Sequence, residues 1–147
     1  MAEQQIDFPS AEWAAAFRDA INDNPVYAKH AADWTHGSVA LVCHAEPAVG
    51  LHEDAVIVLD THQGRCRDAS FAMGRQAAER ADFVIEASYE RWREVLAGRI
   101  DPIKGMMQGK LRLTKGHLPT MLKYVESSRA LVSSAARVPT RFRERLA

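Results

Sequence analysis

The chain has 147 residues, 19 basic and 19 acidic side chains for a formal net charge of zero, and a composition that is 47% hydrophobic and 26% charged. These globular values exclude disordered, fibrous and collagen-like classes. The length suits one core burying about 68–70% of the unfolded surface, so a single domain over residues 1–147 is expected. The longest apolar runs, such as Ala55 to Leu59, fall far short of a bilayer span. The N-terminal MAEQQIDFPSAEW has no basic lead into an apolar segment, so no secretory leader is expected and the reading is a soluble, cytoplasmic protein.

Charge is unevenly placed: residues 1–37 carry −4, residues 38–98 carry −4 and residues 99–147 carry +8. A basic last third can steer anionic partners but says nothing about fold.

Pro9 and Ser10 precede AEWAAAFRDAIN, where Ser10 serves as N-cap, Glu12 lies in the first turn, and Trp13, Phe17, Ala20 and Ile21 share one face. Asn24-Pro25 breaks this helix, and Pro25 opens a second, VYAKHAADW, at a position where a missing N–H does no harm. Gly37 ends it. From Ser38 the period changes to that of strands: SVALVCHAE, DAVIVLDTHQG and RCRDASFAM, separated by Pro47, Gly50 and His62-Gln63-Gly64, read as three consecutive antiparallel strands. Ala55 to Leu59 is apolar on both faces, which marks a central strand, whereas Arg65 and Arg67 mark an exposed start. Residues 74–80 form a polar connection with a helical turn.

In the fourth strand, ADFVIEAS, Phe83, Ile85 and Ala87 alternate with Asp82, Val84 and Glu86. Ser88 caps the helix YERWREVLAG, which places Tyr89, Trp92, Val95 and Leu96 on one face and stops at Gly98 in the left-handed region. Asp101-Pro102 opens the short helix IKGMMQ, closed at Gly109. KLRLT is a fifth strand with Leu111 and Leu113 inward. After Gly116 one long helix, LPTMLKYVESSRALVSSAARV, buries Leu118, Met121, Leu122, Val125 and Leu131 or Val132. Residues 136–147 read as a loosely held basic tail. This order predicts an α+β fold, a five-stranded, mostly antiparallel sheet covered on one face by helices.

No catalytic constellation accompanies these elements. Cys43-His44, Asp60-Thr61-His62 and Glu86 do not pair a nucleophile with an oriented base, and there is no glycine-rich phosphate loop. Cys43 and Cys66 lack a CxxC spacing and read as buried free thiols. The six histidines show no HxxxH or HExxH spacing, so no metal and no cofactor are expected. The basic third lacks interleaved aromatics and a reading helix, so no nucleic-acid partner is expected.

The strand ADFVIEAS, the capped helix ending Leu96-Ala97-Gly98, then Gly98-Arg99-Ile100, Asp101-Pro102 and Gly109-Lys110-Leu111-Arg112-Leu113, followed by a glycine and an amphipathic helix, together resemble the sterol carrier protein type 2 family. The resemblance covers most of the second half of the chain, and the upstream helix and three-strand meander are compatible with it. It implies a five-stranded sheet with helices on one face enclosing an apolar tunnel or cavity, with no catalytic residue required. The lining it implies by position is Phe83, Ile85, Trp92, Leu96, Ile100, Met106, Met107, Leu111, Met121, Leu122 and Val125. Unbranched, polarizable methionine suits a wall that must repack around different guests; the competing reading of each residue is ordinary core filling. The chain departs from the family at Gly116-His117-Leu118-Pro119, and it ends Arg145-Leu146-Ala147 rather than Ser-Lys-Leu, so no peroxisomal address is expected.

The function expected is non-catalytic binding or carriage of an apolar lipid-like ligand, a sterol, fatty acyl or isoprenoid compound. Arg99, Lys104, Lys110, Arg112 and Lys115 are placed to meet an anionic head group or membrane surface. The alternatives are an accessory module presenting a hydrophobic groove to a partner enzyme, for which a homodimer is a possible form, and a small enzyme.

Overall fold

The computed structural model describes residues 4–146. In chain order it contains β1 (Ile6–Phe8), α1 (Ala11–Asn22), α2 (Pro25–His30), β2 (Val39–Cys43), β3 (Ala55–His62), β4 (Arg65–Met73), β5 (Phe83–Ala87), α3 (Tyr89–Leu96), α4 (Pro102–Met107), β6 (Arg112–Lys115), α5 (Leu118–Leu122), α6 (Val125–Ala136) and β7 (Thr140–Phe142). Single 3₁₀ turns occupy Pro47–Val49 and Arg75–Ala78.

The helix starts follow their caps. Ser10 Oγ accepts from Trp13 N at 3.0 Å, Asn24 Oδ1 from Val26 N at 3.0 Å, Ser88 Oγ from Arg91 N at 3.2 Å and Asp101 Oδ2 from Lys104 N at 3.0 Å. Each such cap satisfies an orphan donor and contributes about 1 kcal/mol. Gly98, at φ +78°, makes the left-handed stop after α3.

The main sheet has the order β4-β3-β2-β5-β6. β2/β3, β3/β4 and β5/β6 are antiparallel, while β2 and β5 run parallel, with Val39 opposite Phe83 and Cys43 opposite Ala87. The fold is thus α+β with a mostly antiparallel five-stranded sheet. The parallel pair follows from the route of the chain: after β4 the 3₁₀ turn at Arg75–Ala78 covers the far face of the sheet, over Ala40, Val42, Val56 and Val84, and returns the chain beside β2. The apolar Ala55 to Leu59 run is interior, as expected, and β4 is an edge strand. α1 covers this edge, and the Asn22 amide brackets Cys66, donating to its carbonyl at 2.8 Å and accepting from its N–H at 2.9 Å.

Two expectations need correction. The C-terminal stretch read as a loose tail contains β7, which pairs in parallel with β1. The pair is fixed by Trp13 Nε1 donating to Thr140 Oγ1 at 2.9 Å, by Arg143 N donating to Tyr89 Oη at 2.6 Å, and by the Arg93 guanidinium 5.0 Å from the Phe142 ring centre. The long final helix is instead two helices. Tyr124 leaves helical geometry at φ −118°, ψ 40°, and its ring packs edge-on against Trp34 at 4.9 Å, a contact with the segment after α2 that a straight helix would forgo.

Candidate functional site

Between the near face of the sheet and the helices lies a cavity of about 90 Å³. Strand alternation supplies one wall: Val39, Leu41 and Cys43 of β2, Ala55, Ile57, Leu59 and Thr61 of β3, and Ile85 of β5 all point the same way. Trp13 and Phe17 of α1, Tyr27 of α2, Trp92, Val95 and Leu96 of α3, Met106 of α4, Met121 of α5 and Leu131, Val132 and Ala135 of α6 supply the other. The six steps from Ala55 to Thr61 give the strand wall a length of about 20 Å at 3.3 Å per residue.

The wall is electrically neutral. Trp13 Nε1 is taken by Thr140, Trp34 Nε1 donates to Gly37 O at 2.9 Å and Trp92 Nε1 to Val42 O at 2.8 Å, so these indoles offer the interior carbon surface. Thr61 Oγ1 donates to Gly37 O at 2.9 Å. Burial pushes the Cys43 thiol up to about 12 and raises the Tyr27 hydroxyl, so both stay protonated near neutrality. Among the side chains of α6 that line the cavity, Ser127 Oγ donates back to Tyr124 O at 3.0 Å. Ser128, also on the lining, is buried.

Of the residues the sequence suggested as lining, Ile85, Trp92, Leu96, Met106, Leu111 and Met121 are brought together on the cavity wall. Phe83 is buried beside it, packed against Trp34 at 5.3 Å. Ile100 is buried beneath α4, next to Gly105. Met107 is 69% exposed because it follows the inward Met106 at the outer end of a six-residue helix. Leu122 is exposed and Val125 half-buried, because the break at Tyr124 resets the stripe that a continuous helix would have carried inward. The inward face of α6 is instead Ser127, Ser128, Leu131, Val132 and Ala135. The sequence reading also missed the contribution of the first half. The Trp13–Phe17 stripe and the Val39/Leu41/Cys43 alternation were visible signals of burial, but they do not reveal which buried face borders open space.

The groups considered for catalysis separate. Cys43 faces the cavity while His44 faces the other side, its Nε2 3.0 Å from Glu86 Oε1. Glu86, 4% exposed, is further held by the Arg75 guanidinium, with Nη1 at 2.6 Å from Oε1, and by the Thr114 hydroxyl at 2.5 Å. Arg75 chiefly, with Thr114 and His44, brings its carboxyl down to about 2 against the opposing effect of burial. This carboxylate fastens the 3₁₀ turn and β6 to the sheet. Asp60 is engaged by Arg67 Nη2 at 2.9 Å. Cys66 is pushed up to about 11 by burial, so neither cysteine offers a thiolate near neutrality. Among the described residues no cluster of His, Cys, Asp or Glu is placed to hold a metal ion, and no helix is long and apolar enough to cross a membrane.

The five-stranded sheet and its helical layer match the fold of a known family. The model of the SCP-2 sterol transfer family matches residues 17–126. The chain belongs to the SCP-2 sterol transfer family. A crystal structure of sterol carrier protein 2 is similar at 36% identity and TM-score 0.82, over 88% of this chain and 97% of that one. A conserved hypothetical protein from Thermus thermophilus, described as possibly a sterol carrier protein, is similar at 34% identity and TM-score 0.84, over 95% and 94% of the two chains. Sterol carrier protein 2 from Yarrowia lipolytica in its apo form shares the fold at 16% identity and TM-score 0.52, over 84% and 88%. No curated protein matches significantly in sequence. The family's extent over this chain includes α2, the whole main sheet, α3, α4 and α5, and it stops at the first turn of α6.

Proposed function

We propose that the protein binds and carries an apolar, lipid-like molecule in the space between helices and sheet, without catalysis. The observation that carries this reading is the neutral, carbon-lined cavity in a member of the SCP-2 sterol transfer family. Ile85, Trp92, Leu96, Met106, Leu111 and Met121 are the proposed contacts from the second half of the chain. Burial of the ligand supplies the affinity at about 25 cal/mol per Å². At about 90 Å³ the cavity is below the roughly 300–1,000 Å³ of ordinary ligand pockets, so loading requires the helical layer to move away from the sheet.

A surface for membrane exchange accompanies this. Residues 102–125 contain Lys104, Lys110, Arg112, Lys115 and Lys123 and no carboxylate, and Met107, Leu118 and Leu122 of the same stretch are exposed. Cations beside protruding apolar side chains suit an anionic bilayer surface.

Mass spectrometry of an organic extract of the purified protein tests the carrier reading, with co-purified lipid expected and its consistent absence counting against it. Transfer of a fluorescent lipid to anionic vesicles should fall in the Lys110→Glu/Arg112→Glu double variant; an unchanged rate would sink the membrane surface.

A further inference from the structure

The two ends of the chain meet over one end of the cavity. β1 and β7 form a parallel ribbon, three residues to a strand, that is separate from the main sheet, and the family's model, at residues 17–126, includes neither strand. Ile6 N donates to Pro139 O at 2.7 Å. Asp7 and Arg141 pair on the outer side, both side chains 62% exposed. A two-stranded ribbon of this length has little stability of its own, so what it grips decides where it lies.

Its inner side is part of the cavity wall. Phe8 of β1 is buried and, with the adjoining Pro9 and with Trp13 of α1, makes up the apolar end of the lining. The Phe8 ring lies 4.8 Å from Trp13, 5.9 Å from Phe142 and 6.4 Å from Tyr89. These are aromatic contacts between side chains, and no backbone ladder joins the ribbon to the layers it covers.

The polar grip is a short set of bonds. Thr140 Oγ1 accepts from Trp13 Nε1 at 2.9 Å, which ties the ribbon to α1. The Tyr89 hydroxyl, at the start of α3, accepts from Arg143 N at 2.6 Å and donates to Arg143 O at 3.3 Å. Arg143 Nη1 donates to Gly50 O at 3.3 Å and Leu146 N to Ala48 O at 2.7 Å, so the far end of the segment is fastened to the 3₁₀ turn between β2 and β3. The ribbon thus bridges the helical layer and the sheet. Releasing it breaks none of the backbone bonds inside a helix or the main sheet, and it carries Phe8 away from the cavity. A molecule entering an enclosed space must displace part of the wall, and this is a part held outside every ladder.

We propose that the β1/β7 ribbon is a door at the apolar end of the cavity, which swings as one unit on the links at Pro9–Ser10 and Arg137–Pro139 when its hold on Tyr89 and on the Pro47–Gly50 turn is released. This rests on the carrier reading given above and adds to it the place where the cavity opens and the device that keeps it shut.

Two reversible cross-links in the full chain test the door, with the uncharged dye Nile red as probe. Ala48→Cys/Leu146→Cys ties the ribbon's far end to the body, whereas Asp7→Cys/Arg141→Cys ties the two strands to each other at opposed positions and leaves the unit free to swing. Stopped-flow association of the dye should be at least about ten-fold slower in the oxidised 48/146 protein than in its reduced form, since binding that waits on a conformational step is limited by that step. Entry and exit should slow together and leave the equilibrium affinity unchanged. Oxidising the 7/141 pair should alter neither rate. In the wild type the amides of Ile6, Arg143 and Leu146 should exchange with solvent at one common rate, faster than those of β2 and β3, and oxidation of the 48/146 pair should slow Ile6 as well. Equal association rates in oxidised and reduced 48/146 protein, slowing by the 7/141 cross-link, or unrelated exchange rates at the three amides overturns the door and leaves the carrier reading standing. A fall in affinity as large as the fall in rate makes Phe8 a part of the binding wall and overturns its role in a passage. Failure of the dye to bind the wild type removes the carrier reading and the door together.

Discussion

Ala135→Leu separates the cavity from the fold. Ala135 is buried on α6 and lines the apolar end of the cavity, and leucine adds three carbons there while keeping high helix propensity. An unfilled space of about 90 Å³ at about 24 cal/mol per Å³ corresponds to roughly 2 kcal/mol of forgone packing. That is the ceiling on what filling restores, and strain of order 1 kcal/mol reduces it. The variant is therefore expected to be between unchanged and about 2 kcal/mol more stable, a melting shift of 0 to roughly 8 °C for a chain of this size. Ligand at a hundred times its Kd stabilises the wild type by about 2.7 kcal/mol, which reads as roughly 5–10 °C. In Ala135→Leu that ligand-induced shift should disappear, while Ala136→Leu, at an exposed position, should retain it. Thermal unfolding with and without palmitate reads both effects. A variant that melts several degrees lower shows that the space is not available, and one that keeps the full ligand shift shows that the ligand binds elsewhere; either result refutes the reasoning.

Glu86 gives a pH signature. Its carboxyl lies near 2 in the folded chain, chiefly through Arg75, so its contribution is complete above its unfolded value near 4.5 and is lost as pH falls from there toward 2. Because the Arg75 side chain is 56% exposed, the contribution is on the order of 2 kcal/mol; urea midpoints of Glu86→Gln should show a shallower decline over that range, and an unchanged slope would assign acid sensitivity elsewhere. Two glycines with positive φ should differ. At Gly98 a Cβ meets nothing within 4 Å, so Gly98→Ala costs about 1 kcal/mol, whereas at Gly116 it would run into the Phe83 ring and the loss should exceed that by at least about 2 kcal/mol in urea unfolding. Asn24 caps α2 and its amide donates to Ser134 Oγ at 2.9 Å and Ala130 O at 3.2 Å. Asn24→Ala should cost about 2–3 kcal/mol and raise amide exchange in α2 ahead of the sheet; uniform acceleration across both would argue against a local tether.

Local chemistry made much of this fold legible before any coordinates. Ser10, Ser88 and Asp101 cap helices because their oxygens reach N–H groups within the next three residues, a property of neighbours in sequence. The strand faces were equally readable, since Val39, Leu41 and Cys43 must share a side of β2 whatever lies opposite. The β1/β7 pair was not, because it joins residues more than a hundred positions apart through three-residue strands whose pattern, Thr-Arg-Phe, reads as a charged tail. The break at Tyr124 was hidden for the same reason: nothing in Lys123-Tyr124-Val125 opposes a helix, and the contacts its side chain makes, with Asp33, Trp34 and His36, lie about ninety residues earlier. Ile85, Trp92, Leu96, Met106, Leu111 and Met121 lie on the cavity wall, whereas Phe83 and Ile100 are buried off it and Met107, Leu122 and Val125 sit where a helix ends or breaks. A void leaves no mark in sequence, since it is what remains after packing.

The small size of that void bears on how a ligand enters. Expanding about 90 Å³ to roughly 300 Å³ in an empty protein would cost on the order of 5 kcal/mol in lost packing, a state adopted by roughly one molecule in several thousand. A preformed open cavity is therefore a rare species, and passage is favoured if the walls part as the tail advances, each buried methylene contributing about 0.8 kcal/mol. The sheet cannot supply the movement, because β2 and β3 are hydrogen-bonded along both edges. α4 and α5 can. They have six and five residues, too few to be stable alone, and they face the cavity through Met106 and Met121, whose side chains change shape at little cost. On this argument the rigid sheet sets the direction in which a chain lies, and the two short helices set how large a chain is admitted.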